Sequence, residues 1–161
     1  MARIPGQEWD SSTLHDRSRA WFVTKWPGNY AGAPDMEMLF VIEIPNSRCL
    51  CMKLFPSAGR GWEHQVLNDL AATHQAPDAL ITDDTRLQHV LVTVGSSFQQ
   101  PAIAYLDKPI TLMPAIHRCL VSLTEILNQP LFQSQLSTEK RNEALELWRI
   151  GYNDRDGASA V

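Results

Sequence analysis

Three apolar, β-rich runs stand close together in the first third of the chain. They are "RAWFVTKW" (residues 19–26), "MEMLFVIEI" (36–44) and "RCLCMKLF" (48–55). Pro27-Gly28-Asn29 and Pro45-Asn46 punctuate them, and Pro and Gly are the strongest local breakers of regular structure. Connections this short leave no room for a helical crossover, so the three runs are expected as an antiparallel meander.

Beyond Pro56-Ser57-Ala58-Gly59 the pattern changes. In "GWEHQVLNDLAATH" the apolar residues Trp62, Val66, Leu67, Leu70 and Ala71 fall at helical spacing. "DALITDD" (78–84) reads as the next strand and "AIAYL" (102–106) as another. The stretch 86–97 reads both ways: Leu87, Val90, Leu91 and Val94 keep helical spacing, yet Val90 to Val94 is rich in β-formers. Leu112, Ile116, Leu120, Leu123 and Leu127 then form an apolar stripe, and Pro130 ends that pattern. "STEKRNEALELWRIGYNDR" closes the chain as a second helix, with Ser137 or Thr138 able to cap it and Leu145, Trp148 and Tyr152 on its apolar face. The resulting order, βββ-α-β-(α)-β-α-α, predicts an α/β fold with a mixed sheet and helices on its faces.

At 161 residues, 44% hydrophobic and 20% charged, the chain has the size and balance of one globular domain. The reading places an N-terminal arm at 1–18, a core domain at 19–156 and a tail at 157–161. A net charge of −4 opposes a protein whose main task is gripping nucleic acid through clustered Lys and Arg. Cys49, Cys51 and Cys119 make neither a disulfide framework nor a zinc site. No signal-peptide pattern opens the chain, and Met38-Leu39-Phe40-Val41-Ile42 is far shorter than a membrane span. A cytoplasmic location without membrane contact is expected.

The chemistry-bearing residues are few. His15, His64, His74, His89 and His117 lack metal-ligand spacing, and no nucleophile elbow, phosphate loop or dinucleotide fingerprint is present. "SAGRGW" (57–62), two glycines before a helix, could bind an anion but reads first as a plain loop, and Trp21, Trp26, Trp62 and Trp148 read as core anchors before base-stacking platforms. Attention falls on "ALITDDT" (79–85), where Asp83 and Asp84 follow a short apolar strand. Carboxylates in that place serve either as a turn or helix cap or as part of a metal site.

Several segments together resemble the ribonuclease H-like catalytic core of retroviral integrases and bacterial insertion-sequence transposases. "AWFVTKW" resembles that family's first strand. "MEMLFVIEIPNSRCLCMKLF" resembles its second and third, joined by a Ser-Arg turn kept here as Ser47-Arg48, with the Asp of the second strand's end replaced at Glu43 or Pro45. "APDALITDDTRL" resembles the segment bearing the second catalytic Asp, with Asp83 in that place and Thr85 where Gly is usual. "EALELWRIGYNDR" resembles the transposase tail, with Trp148, Tyr152, Asn153 and Arg155 at or near its W-x-x-x-Y-N-x-x-R positions. The likeness spans about residues 19–156 and implies a five-stranded mixed sheet, three antiparallel strands followed by parallel ones. It also implies DNA cutting and joining with two Mg²⁺ or Mn²⁺ ions held by three carboxylates.

Carried onto this chain, the first acid falls on Lys25, which lies 58 residues before Asp83. Counting 35 or 36 residues on from Asp83 reaches Arg118 or Cys119, and the nearest acid on that helix is Glu125. The resemblance therefore implies a degenerate core: Asp83 retained, Lys25 and Arg118 standing where acids were lost, no catalysis and no metal or cofactor. Cations at those places would repel a divalent ion, so Lys25, and with it Arg118, is expected to pair with Asp83 directly. The family implies a homodimer. The chain's start at Met1 and its charge imply weak or absent DNA binding. Two readings stay open beside this one. An active nuclease or recombinase would use relocated acids, Asp83 and Asp84 with Asp35, Glu37 or Glu43, and Mg²⁺ or Mn²⁺. An unrelated α/β protein-interaction module would owe nothing to DNA chemistry.

Overall fold

The long strands form where the sequence carries unbroken apolar runs. The computed structural model describes residues 2–3, 19–44, 46–57, 61–96, 102–105, 113–133 and 137–157. The strands are β1 (Ala2–Arg3), β2 (Ala20–Pro27), β3 (Met36–Ile44), β4 (Arg48–Pro56), β5 (Ala79–Thr82) and β6 (Ala102–Tyr105). They form one sheet in the order β1-β6-β5-β2-β3-β4. The β2–β3 and β3–β4 ladders are antiparallel, as the short turns require, and β2–β5, β5–β6 and β6–β1 are parallel. The fold is thus mixed α/β. The sheet has six strands where five were expected, because Ala2 and Arg3, read as part of an arm, pair with Ala102 and Ile103 at the edge.

The helices are α1 (Trp62–Thr73), α2 (Thr85–Gly95), α3 (Met113–Leu127), the single turn α4 (Pro130–Gln133) and α5 (Thr138–Tyr152), which runs into a π-helical stretch at Asn153–Gly157. The ambiguous stretch is helical as far as Gly95, and Asp84 caps it: its carboxylate accepts the Arg86 N–H at 2.9 Å, a bond that satisfies an otherwise orphan donor. Ser137 caps α5 in the same way, accepting from Lys140 N at 3.2 Å.

Side chains alternate across the sheet and sort into two cores. Phe22, Phe40, Met52 and Ile81 face α3 and α5, with Ile116, Leu123, Leu145 and Tyr152 packed on them. Trp21, Leu39, Leu80 and Ile103 face α1 and α2, with Leu67, Leu87 and Leu91. Burial on both faces explains why "MLFVI" shows no alternation in sequence. Gly28, just past β2, is required by close approach: a Cβ there would run into the carbonyl oxygens of Ala33 and Met36.

α5 runs along β4, the strand at the open end of the sheet. Asn142 accepts from Leu54 N at 2.8 Å and donates to Leu54 O at 3.2 Å. Asn153 does the same for Cys49, at 2.8 and 2.9 Å. Each amide thereby stands in for a missing strand partner. Cys49 sits beside the bulge where the β3–β4 register shifts, which is where a ladder loses a bond. The polar and aromatic side chains of this tail are therefore structural here. Trp148 stacks on Tyr152 with centroids 5.6 Å apart and donates to Ser122 at 3.0 Å. The Tyr152 hydroxyl meets Ser47 Oγ at 2.8 Å.

Candidate functional site

β2 and β5 are adjacent and parallel, and the chain leaves β2 toward β3 on one side while β5 lies on the other. Crevices at such topological switch points, beyond the carboxyl ends of parallel strands, are where α/β sheets place ligands. Here the crevice is a shallow cleft of about 290 Å³ bordered by Thr24, Lys25, Asp83, Asp84, Arg86 and Tyr105.

Register decides which residues meet in it. Phe22 pairs with Ile81, so two residues further along each strand Thr24 comes level with Asp83 on the same face. Thr24 Oγ1 donates to Asp83 Oδ1 at 2.7 Å. This corrects the expected Lys25–Asp83 pair. Lys25 is one residue on and faces the opposite side of the sheet, where its ammonium binds Glu37 at 2.9 Å and Glu63 at 3.1 Å and lies 5.5 Å from the Trp62 ring centroid. Lys25 still borders the cleft, and its charge helps hold Asp84 ionised.

Asp84 answers the capping alternative. Its carboxylate takes the Arg86 N–H and then the Arg86 guanidinium, at 3.1 Å from Nε and 2.8 Å from Nη2. Partial burial pushes its pKa up, but the Arg86 bonds outweigh this and hold it below the usual aspartate value. Arg118 is exposed in the middle of α3, and its charge bears on Tyr152. Cys119 is buried beside Cys49, and Glu125 is exposed.

The relocated acids do not converge either. Glu37 is held by Lys25 on the far face. Glu43 lies at the other end of the sheet with Arg19 and Asn46. Asp35 is exposed in the turn before β3. Among the described residues no three His, Cys, Asp or Glu side chains are grouped to hold a metal ion. The donor set does not fit a pair of divalent cations: Asp83 brings one carboxylate, Thr24 a neutral hydroxyl, and the Asp84 carboxylate is engaged by a guanidinium. Hard cations of this kind need several anionic oxygens.

No protein-family model matches the chain, and no match was found among curated proteins. Among the described residues, no helix is long and apolar enough to cross a membrane.

Thr24 is the site residue that sequence reasoning missed. The signal was available as parity: Thr24 lies two residues from Phe22, as Asp83 does from Ile81, so alternation pairs them once those strands are neighbours.

Proposed function

We propose that this chain is a homologue of the ribonuclease H-like integrase and transposase core that does not itself cut or join DNA. The observation that carries the reading is the Thr24–Asp83 bond, 2.7 Å long, at the ends of β2 and β5. In that family the two strands place a pair of acids side by side, and the strand order β4-β3-β2-β5-β6 agrees with such a core. The neutral hydroxyl now occupies the place of the first acid, so Thr24, and not Lys25, marks the loss. A hydroxyl that donates to Asp83 quenches the carboxylate without a metal, and a partly buried acid left alone would be costly. The proposed molecule is cytoplasmic, binds DNA weakly on its own and forms a homodimer, in keeping with the lineage.

The test is a plasmid nicking and strand-transfer assay in Mn²⁺ and Mg²⁺, run beside a Mn²⁺ titration by calorimetry. The expected result is neither cleavage nor saturable binding. Metal-dependent cleavage abolished by Asp83→Asn would sink the inactive reading and restore the alternative of relocated acids.

A further inference from the structure

Helix α5 carries a second stripe that its own fold leaves uncovered. Its buried stripe is Arg141, Leu145, Trp148 and Tyr152, and Asn142 holds β4 on one flank. On the outer face Lys140, Glu143, Leu147 and Ile150, with Asp154 just past the helix end, recur at steps of 3, 4, 3 and 4, and all are exposed. Leu147 is 71% exposed and Ile150 46%, two of the four large apolar side chains left outside among the described residues. A single exposed Leu needs no explanation. Neighbours on one helical stripe are the pattern of a helix-to-helix contact.

Gly151 is an independent sign. A glycine inside a helix costs about 1 kcal/mol against alanine. Among the described residues nothing requires it: a Cβ there would meet only the end of the Arg155 side chain, at 3.6 Å. Ala144 lies two turns earlier on the same flank of the stripe. Small side chains at those places let a second helix come close.

The charges select which helix. Lys140 lies seven residues before Leu147 and Asp154 seven after it. Two copies laid parallel would set Lys140 against Lys140 and Asp154 against Asp154. Laid antiparallel about a two-fold axis at Leu147, they set Lys140 opposite Asp154 of the second copy, twice by symmetry. Ile150 of the second copy then comes level with Ala144, in the gap framed by Lys140, Glu143 and Leu147. Glu143 comes level with Gly151 of the second copy. The pair Lys140 makes with Glu143 in its own chain is 65% and 56% exposed, so its loss costs little. Glu146 and Arg149, beside the stripe, are joined to each other at 2.6 Å, and Glu139 and Arg155 lie at its margins.

We propose that two copies of this chain pair antiparallel along α5, with Leu147 on the axis and Ile150 seated beside Ala144. This takes up the homodimer of the lineage reading and gives it a surface, argued from the stripe itself. One helix against one helix is a small interface, so the expected dissociation constant is about 10–100 μM.

The experiment is analytical ultracentrifugation of the full chain from about 5 to 500 μM, a range that brackets such a constant. A monomer–dimer equilibrium is expected. Leu147→Glu should weaken it at least about tenfold with the circular dichroism spectrum preserved. Lys140→Asp and Asp154→Lys should each weaken it and the double variant should restore it, a pattern that a parallel pair cannot give. Gly151→Ala should weaken the dimer yet raise the melting temperature of the dilute monomer. The proposal is overturned by a chain that stays monomeric at the top concentration, by a double variant no better than either single one, or by a dimer indifferent to Leu147→Glu. In that last case the homodimer stands on another face. DNA cleavage by the chain would sink the inactive reading and leave this surface standing.

Discussion

Thr24 and Lys25 are neighbours in sequence and face opposite sides of the sheet, so that Thr24 binds Asp83 at 2.7 Å while Lys25 binds Glu37 and Glu63 at 2.9 and 3.1 Å. One residue of strand separates a cleft wall from an ion-pair cluster. The two roles make different demands on stability.

Lys25 neutralises two carboxylates whose side chains are only 21% and 13% exposed. Lys25→Met should destabilise the fold by about 2 kcal/mol in denaturant titration, because it leaves two like charges together. Adding Glu37→Gln and Glu63→Gln should recover most of the loss. A loss unchanged in the triple variant would mean that the ammonium's place over the Trp62 ring carries the effect.

Asp84 has a depressed pKa in the folded state. Its contribution is therefore full above the ordinary aspartate value near 4 and is lost as pH falls through the lower folded-state value. Asp84→Ala should cost about 1 kcal/mol at neutral pH and progressively less in strong acid. Thermal melts of both proteins across that range check the convergence; a constant difference would contradict it.

Asn142 and Asn153 each satisfy both polar groups of one β4 residue. Asn153→Ala leaves the Cys49 N–H buried without an acceptor and should cost about 1–3 kcal/mol. Amide exchange at Cys49 should speed up while that at Leu54 holds, and Asn142→Ala should reverse the pattern. Equal loosening at both sites in either variant would show that the clamps do not act separately.

The thiols of Cys49 and Cys51 are buried, and burial is the chief cause that raises both pKa values, that of Cys51 to about 12. Thiolate is the reactive form. Native protein should resist iodoacetamide at pH 8 at these two positions and react there only once unfolded. Rapid native labelling mapped to Cys51 would contradict the packing described.

Much of this architecture was legible from periodicity. The three antiparallel strands, the helix at 62–73 and the stripe from Ile116 to Leu127 all follow from apolar spacing and turn residues. Three things were not. The pairing of Ala2–Arg3 with β6 involves too few residues to leave a pattern. The facing of Lys25 is fixed by parity with Phe22 and Ile81, which counting residues between Lys25 and Asp83 along the chain does not reveal. The tail "WRIGYND" reads as a signature, yet its side chains serve the β4 edge, because backbone needs and catalytic needs select the same polar residues.

Asn142 on α5 and Asn153 just past its end also work as a ruler. They stand 11 residues apart and grip strand residues 5 apart; a helix rising about 1.5 Å per residue and a strand about 3.3 Å cover the same distance, about 16.5 Å. Between Asn142 and Asn153 the helix can change its outer residues freely, but adding or deleting one would put the two grips out of step. The length of that interval, more than its composition, is what the fold holds constant.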